Sequence, residues 1–186
     1  MHTRRWSMSD KSYFMFLGSY DHPLIPTWTP HTFAYFFSGE EHFCISWLPE
    51  SGPGDVKVLS KAVPGKNYTI SDTLIFLKSN KLKFIDGGTF EITHELFANA
   101  LLQFKKLNTH EVSYKVLGVK RNTGHDSYHC VYAISDIRDK PLMNNGVATT
   151  SKSMRKITKH FERYIIKKNV DHIHIAEILK RHGMES

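Results

Sequence analysis

The first third of the chain is built from short apolar and aromatic runs separated by turn residues. The run Tyr13 to Leu17 is rich in β-formers and ends at Gly18 to Asp21. HPLIPTWTP carries three prolines in nine residues and reads as an extended connection. Two aromatic-rich runs then flank Ser38-Gly39-Glu40-Glu41, which marks a hairpin. A turn at Gly39-Glu40 pairs Phe37 with His42, Tyr35 with Cys44, Phe33 with Ser46 and His31 with Leu48. All eight then share one sheet face. Beyond a loop at ESGPGD, VKVLS reads as a short strand and VPGKNY as a turn.

The second half changes period. Ser71 reads as the N-cap of a short helix running to Lys78. GGTFEI reads as a brief strand after a glycine turn. Thr93 caps an amphipathic helix on which Leu96, Phe97, Ala100, Leu101, Phe104 and Leu107 recur at helical spacing. HEVSYKVLGVK reads as a strand and RNTGHD as a loop. Asp126 or Ser127 caps a helix bearing Cys130, and KPLMNNGVATTSKS is a linker. Two basic helices close the chain, near residues 154–168 and 170–181. The pattern predicts an α+β fold with a mostly antiparallel sheet, a packed cysteine-bearing helix and C-terminal helices.

Composition narrows the class. With 186 residues, 40% of them hydrophobic, the chain can bury a core without cross-links. No apolar run reaches membrane-spanning length, and no signal peptide is legible near the N-terminus. The two cysteines, Cys44 and Cys130, read as free thiols. A cytoplasmic location is expected, or export without an N-terminal signal peptide. The net charge of +7 is uneven, because residues 151–186 hold nine Lys or Arg against four Asp or Glu. The predicted organisation is therefore a domain over 1–150 and a basic helical extension over 151–186 packed on it through Ile157, Phe161, Tyr164 and Ile165. An anionic partner at these C-terminal helices is one use of that charge, and a solvated face is the other.

Cys130 is the candidate nucleophile. A place in the first turn of a helix surrounds its sulfur with free backbone N–H groups, which favour a thiolate. His31 opens an aromatic strand and is the best-placed base among twelve histidines. Ser46 and Glu50 are its diagonal neighbours across the hairpin, and either could orient the ring. Cys44 lies roughly 13 Å along the strand from His31 and reads as core. Tyr128 and His129, just before the cysteine, are candidate substrate-binding residues. Asp136 reads as a structural hydrogen-bond partner. Placement of His31 on the sheet face away from the cysteine helix would instead leave Cys130 a buried spacer.

A histidine on an early strand followed by a late cysteine at a helix start resembles the circularly permuted papain-like cysteine hydrolases. These are relatives of the NlpC-type cell-wall peptidases and of lecithin:retinol acyltransferase. His129 stands where the acyltransferase branch has asparagine. Four stretches, HTFA at 31–34, ISWLP at 45–49, GTFEI at 88–92 and HCVYAISDI at 129–137, resemble in order those of a poorly characterised bacterial family of this kind. The resemblance spans roughly residues 10–140. It implies a permuted papain-like fold and a Cys130–His31 pair acting on an amide or ester of an acyl or peptide substrate, with no cofactor. A non-catalytic binding domain with a basic C-terminal surface is the alternative. His125, His129 and Cys130, and separately His172 and His174, are too few for a zinc site, so no metal is expected.

Overall fold

The computed structural model describes residues 11–20, 31–52, 57, 61–109, 112–115, 126–137 and 150–184. Five strands form one sheet. They are β1 (Tyr13–Tyr20), β2 (His31–Ser38), β3 (Glu41–Ile45), β6 (Phe84–Ile92) and β9 (Ile165–Lys167), in the order β3-β2-β1-β6-β9. A second sheet has the order β4-β5-β7-β8, from Trp47–Pro49, Val63–Asn67, Val112–Tyr114 and Asp126–Tyr128. Only the β7–β8 pair among these ladders is parallel. The fold is α+β and mostly antiparallel, as the period changes predict.

Alternation along β2 divides the core into two. Ala34 and Phe36 join Met15, Leu17, Ile92 and the helices α2 (His94–Leu107), α3 (Cys130–Ser135) and α4 (Thr150–His160) on one face. Phe33, Tyr35 and Phe37 join Phe16, Tyr20 and the helices α1 (Ile70–Ser79) and α5 (Ile173–Arg181) on the other. Both faces of β2 are therefore covered, and all eight of its residues are buried. Gly18 sits opposite Phe33, where a Cβ would drive into the phenyl ring.

Several boundaries differ from expectation. The hairpin pairs Phe37 with His42 and Tyr35 with Cys44, but its ladder ends at Ala34–Ile45. The expected Phe33–Ser46 and His31–Leu48 pairs do not form, because Trp47–Pro49 leaves to pair with β5. VPGKN is a strand and not a turn. Gly65 is there because the Trp47 indole lies where its side chain would be. The cap of α1 is Thr69, whose hydroxyl accepts from the Asp72 N–H at 3.0 Å. That start aligns Ile70, Leu74 and Leu77 on the buried side. Thr93 caps α2 as expected.

The C-terminal stretch also departs from two helices. Helix α4 stops at His160, a 3-10 turn spans Glu162–Tyr164, and β9 then adds an edge strand beside β6. Ile157, Phe161 and Tyr164 lie in the same cluster as Cys130, so the expected docking stripe is part of the main core. The proline-rich connection, the VKVLS strand apart from residue 57, the RNTGHD loop with His125, and the linker before residue 150 lie outside the described residues.

Candidate active site

His31 is the first residue of β2 and pairs with Tyr20 of β1. Its side chain is 2% exposed. Where the chain breaks from the β3 ladder, Ser46 turns its hydroxyl to His31 Nε2 at 2.9 Å. Asn67 holds that break in place. Its side chain accepts from the Ser46 N–H at 2.8 Å and donates to the Cys44 carbonyl at 2.9 Å. On the far side the Thr73 hydroxyl donates to Ser46 Oγ at 2.8 Å. A buried chain thus runs from α1 through Ser46 to the imidazole. Ser46 reaches the ring at the break from the ladder, not through the diagonal cross-strand position expected for it. Glu50 is exposed, and its backbone N–H donates to the Pro64 carbonyl.

The other ring nitrogen, Nδ1, is buried and has no hydrogen-bond partner. A ring nitrogen left this way costs about 1–3 kcal/mol. The Tyr20 ring lies 5.1 Å from the imidazole, and Phe33 stacks on it at 6.4 Å. Burial pushes the His31 pKa down to about 3, so the ring is neutral. When Nε2 carries the hydrogen and donates to Ser46, Nδ1 presents a lone pair.

Cys130 is the first residue of α3. Its cap is His129, not Asp126 or Ser127, which lie in β8. His129 Nδ1 accepts from the Tyr132 N–H at 3.3 Å. Burial raises the Cys130 pKa, and the backbone N–H groups of Thr32, Val131 and Cys130 oppose that rise. The amides of the first turn act in the expected direction, but desolvation outweighs them. The resting sulfur is therefore a thiol, where the helix start alone led us to expect a thiolate.

The Thr32 N–H, one residue after His31, brings the Cys130 sulfur to the backbone at the start of β2. Alternation nevertheless sets Cys130 and His31 apart. The body of α3 packs with Ala34 and Phe36, whereas His31 points with Phe33, Tyr35 and Phe37. Cys130 itself belongs to the cluster of Ala34 and Phe36. It interacts electrostatically with the hydroxyl of Tyr20, which belongs to the His31 face, and with that of Tyr114, which belongs to the other. Linear spacing carries no signal for Tyr20, Asn67 or Thr73. Tyr20 comes from β1, the strand before β2, while Asn67 and Thr73 come from β5 and α1.

Tyr128 and His129 are occupied in the scaffold. Tyr128 is fully buried; its hydroxyl donates to Asp136 Oδ2 and accepts from Lys106 Nζ, both at 2.6 Å. Asp136 is thus the structural partner expected of it. Cys44 is 5% exposed and its thiol pKa is raised by burial, in keeping with a core role. His172 and His174 are not plain surface residues: His172 caps α5, and His174 Nε2 meets the Tyr35 hydroxyl at 3.0 Å. Among the described residues no three His, Cys, Asp or Glu side chains converge on a metal position, and no helix is long and apolar enough to cross a membrane. The chain matches no family model, no curated protein and no solved structure.

Proposed function

We propose that this protein is a cysteine-dependent hydrolase or acyltransferase of permuted papain-like fold, acting on an amide or ester through Cys130 and His31. The observation that carries the reading is the unpartnered His31 Nδ1, beside the residue whose N–H holds the Cys130 sulfur. Tyr20 Oη and Trp47 Nε1 are also buried without a partner, so the reading rests on the place of Nδ1 at the start of β2 and not on its being unpaired alone. With a neutral thiol and a neutral imidazole at rest, proton transfer accompanies attack. The Cys130 proton passes to His31 Nδ1 as the sulfur bonds to the acyl carbon. His31 then gives that proton to the leaving amine or alcohol as its bond to the acyl carbon breaks. Water, deprotonated by His31, or an acceptor alcohol or amine releases the acyl group and restores the thiol. Ser46 holds the ring, and the N–H groups at the start of α3 face the developing oxyanion.

The opposite-face direction of His31 and the burial of both side chains favour a second reading, in which Cys130 is a core spacer and the domain serves binding. An activated acyl ester such as p-nitrophenyl acetate separates the two. Intact-mass measurement is expected to show one acetyl group on Cys130 in the wild type, and about a hundredfold slower acylation in His31→Ala. Cys130→Ala and the double variant should be as inactive as each other. Equal acylation of Cys130 with and without the imidazole, in a variant that keeps its fold, would establish the spacer.

A further inference from the structure

A cavity of about 540 Å³ opens at the β3 edge of the five-stranded sheet, between α1 and α5 on one face and the end of α2 on the other, and neither Cys130 nor His31 lines it. Its walls come from the β2–β3 hairpin, the first turn of α1, the end of α2 and α5 from His174 to its C-terminus. Its size is that of a small-molecule site.

The lining divides by chemistry. Phe43 and Phe104 meet at 5.3 Å between ring centroids and form an apolar wall. His42, His174, Arg181 and His182 also line the cavity, against a single carboxylate among the described lining residues, Glu177. Arg181 is exposed and has no ion-pair partner among the described residues. Glu177 lies one turn before it and is more than salt-bridge distance away. Burial makes protonation of His174 harder, as do His172, His42 and Arg181, while Glu177 opposes them. Arg181 and Lys78 do the same to His182, again behind burial. His174 is itself oriented by the Tyr35 hydroxyl, so its ring is fixed at the wall.

We infer that this cavity binds a small organic anion, with a flat apolar body against Phe43 and Phe104 and one carboxylate or phosphate group facing Arg181 and the histidines. An uncompensated guanidinium beside oriented imidazoles suits an oxyanion, and the aromatic wall suits a ring. The site is independent of the proposed acyl chemistry.

Calorimetric titration of the full chain near neutral pH tests it. The probes are phenylacetate and phenyl phosphate, with phenylacetamide as the uncharged analogue and inorganic phosphate as the anion without a ring. Both ring-bearing anions should bind saturably, and the stronger of the two identifies the acid group. Phenylacetamide and inorganic phosphate should each bind at least about tenfold more weakly. Arg181→Ala should weaken the anions by about tenfold while Arg181→Lys keeps most of the affinity. Arg181 is exposed, so neither change should disturb folding, and His42→Gln on the equally exposed hairpin provides a second probe with a smaller loss. Lack of saturation by either anion at about 10 mM would overturn the inference. So would equal binding of phenylacetamide, or undiminished binding by Arg181→Ala.

Discussion

At the residue scale, the two groups of the candidate site are both neutral because both are buried. For His31 this has a thermodynamic consequence. Its folded pKa is about 3, and an unfolded histidine titrates near its usual value of about 6.5. Below about pH 6.5 the unfolded chain takes up a proton that the folded chain refuses, so stability falls as the pH drops toward the folded value. The expected loss is about 1.4 kcal/mol per pH unit from this one group. Burial lowers the pKa of His172, His174 and His182 too, and these add to the slope in the same direction. Urea melts at stepped pH should therefore give a slope smaller by about one proton in His31→Gln than in the wild type. An unchanged slope would mean that the folded protein accepts the proton at His31.

The cysteines make a second residue-scale contrast. Both are 5% exposed and both have pKa values raised by burial. Cys130 alone has three backbone N–H groups favouring its thiolate. Iodoacetamide should therefore label both slowly near neutral pH, with Cys130 ahead of Cys44 as the pH is raised. Peptide mapping of the alkylated protein reads the order, and labelling of Cys44 first would contradict the role given to those amides. The helix start near Cys130 was legible from the sequence, whereas the His31–Ser46 contact forms without the hairpin register from which it was expected. The depressed thiol pKa was not a sound expectation, because desolvation depends on what covers the sulfur, and sequence position does not say what that is.

At the element scale, capping shows where local reading stops. Thr69 and Ser71 both suit an N-cap, and their spacing from the next apolar residues does not separate them. Tertiary packing does: a start at Ile70 puts Ile70, Leu74 and Leu77 against the sheet. Thr69→Ala should cost about 1 kcal/mol in a denaturant melt, and Ser71→Ala, at an exposed first-turn position, should stay within about 0.5 kcal/mol of wild type. The reverse ranking would relocate the cap. Strand β5 was hidden for a related reason. Pro64 and Gly65 signal a turn locally, yet the residues around them pair on both sides, with Gly65 making room for the Trp47 indole. The long helix α2 was legible in its cap and apolar stripe because that information is local, whereas its buried Gln103, which donates to the Ala133 carbonyl, was not.

At the scale of the whole molecule, the C-terminal segment decides whether the chain is a domain with an extension or one continuous core. Its charge and apolar stripe suggested an extension packed on the domain. Its buried residues lie in both core clusters. Ile157 and Phe161 have no exposed surface and pack in the same cluster as Ala34, Phe36 and the helix of Cys130. Strand β9 covers the edge of β6, and Ile175 and Ile178 of α5 complete the opposite cluster beside Tyr35 and Phe37. Two kinds of variant should then behave in opposite ways. Ile157→Ala removes buried methyl groups from a close-packed site and should cost about 2–5 kcal/mol. Lys168→Gln breaks only an exposed ion pair with Glu162 at 3.4 Å, and such pairs are worth about 0–1 kcal/mol. A chain ending at residue 149 should lose cooperative unfolding altogether, since it would expose one edge of the five-stranded sheet and parts of both core faces. Thermal melts followed by circular dichroism distinguish the outcomes. A truncated chain that melts cooperatively near the wild-type temperature would show that residues 1–149 fold alone, with the basic segment an extension after all.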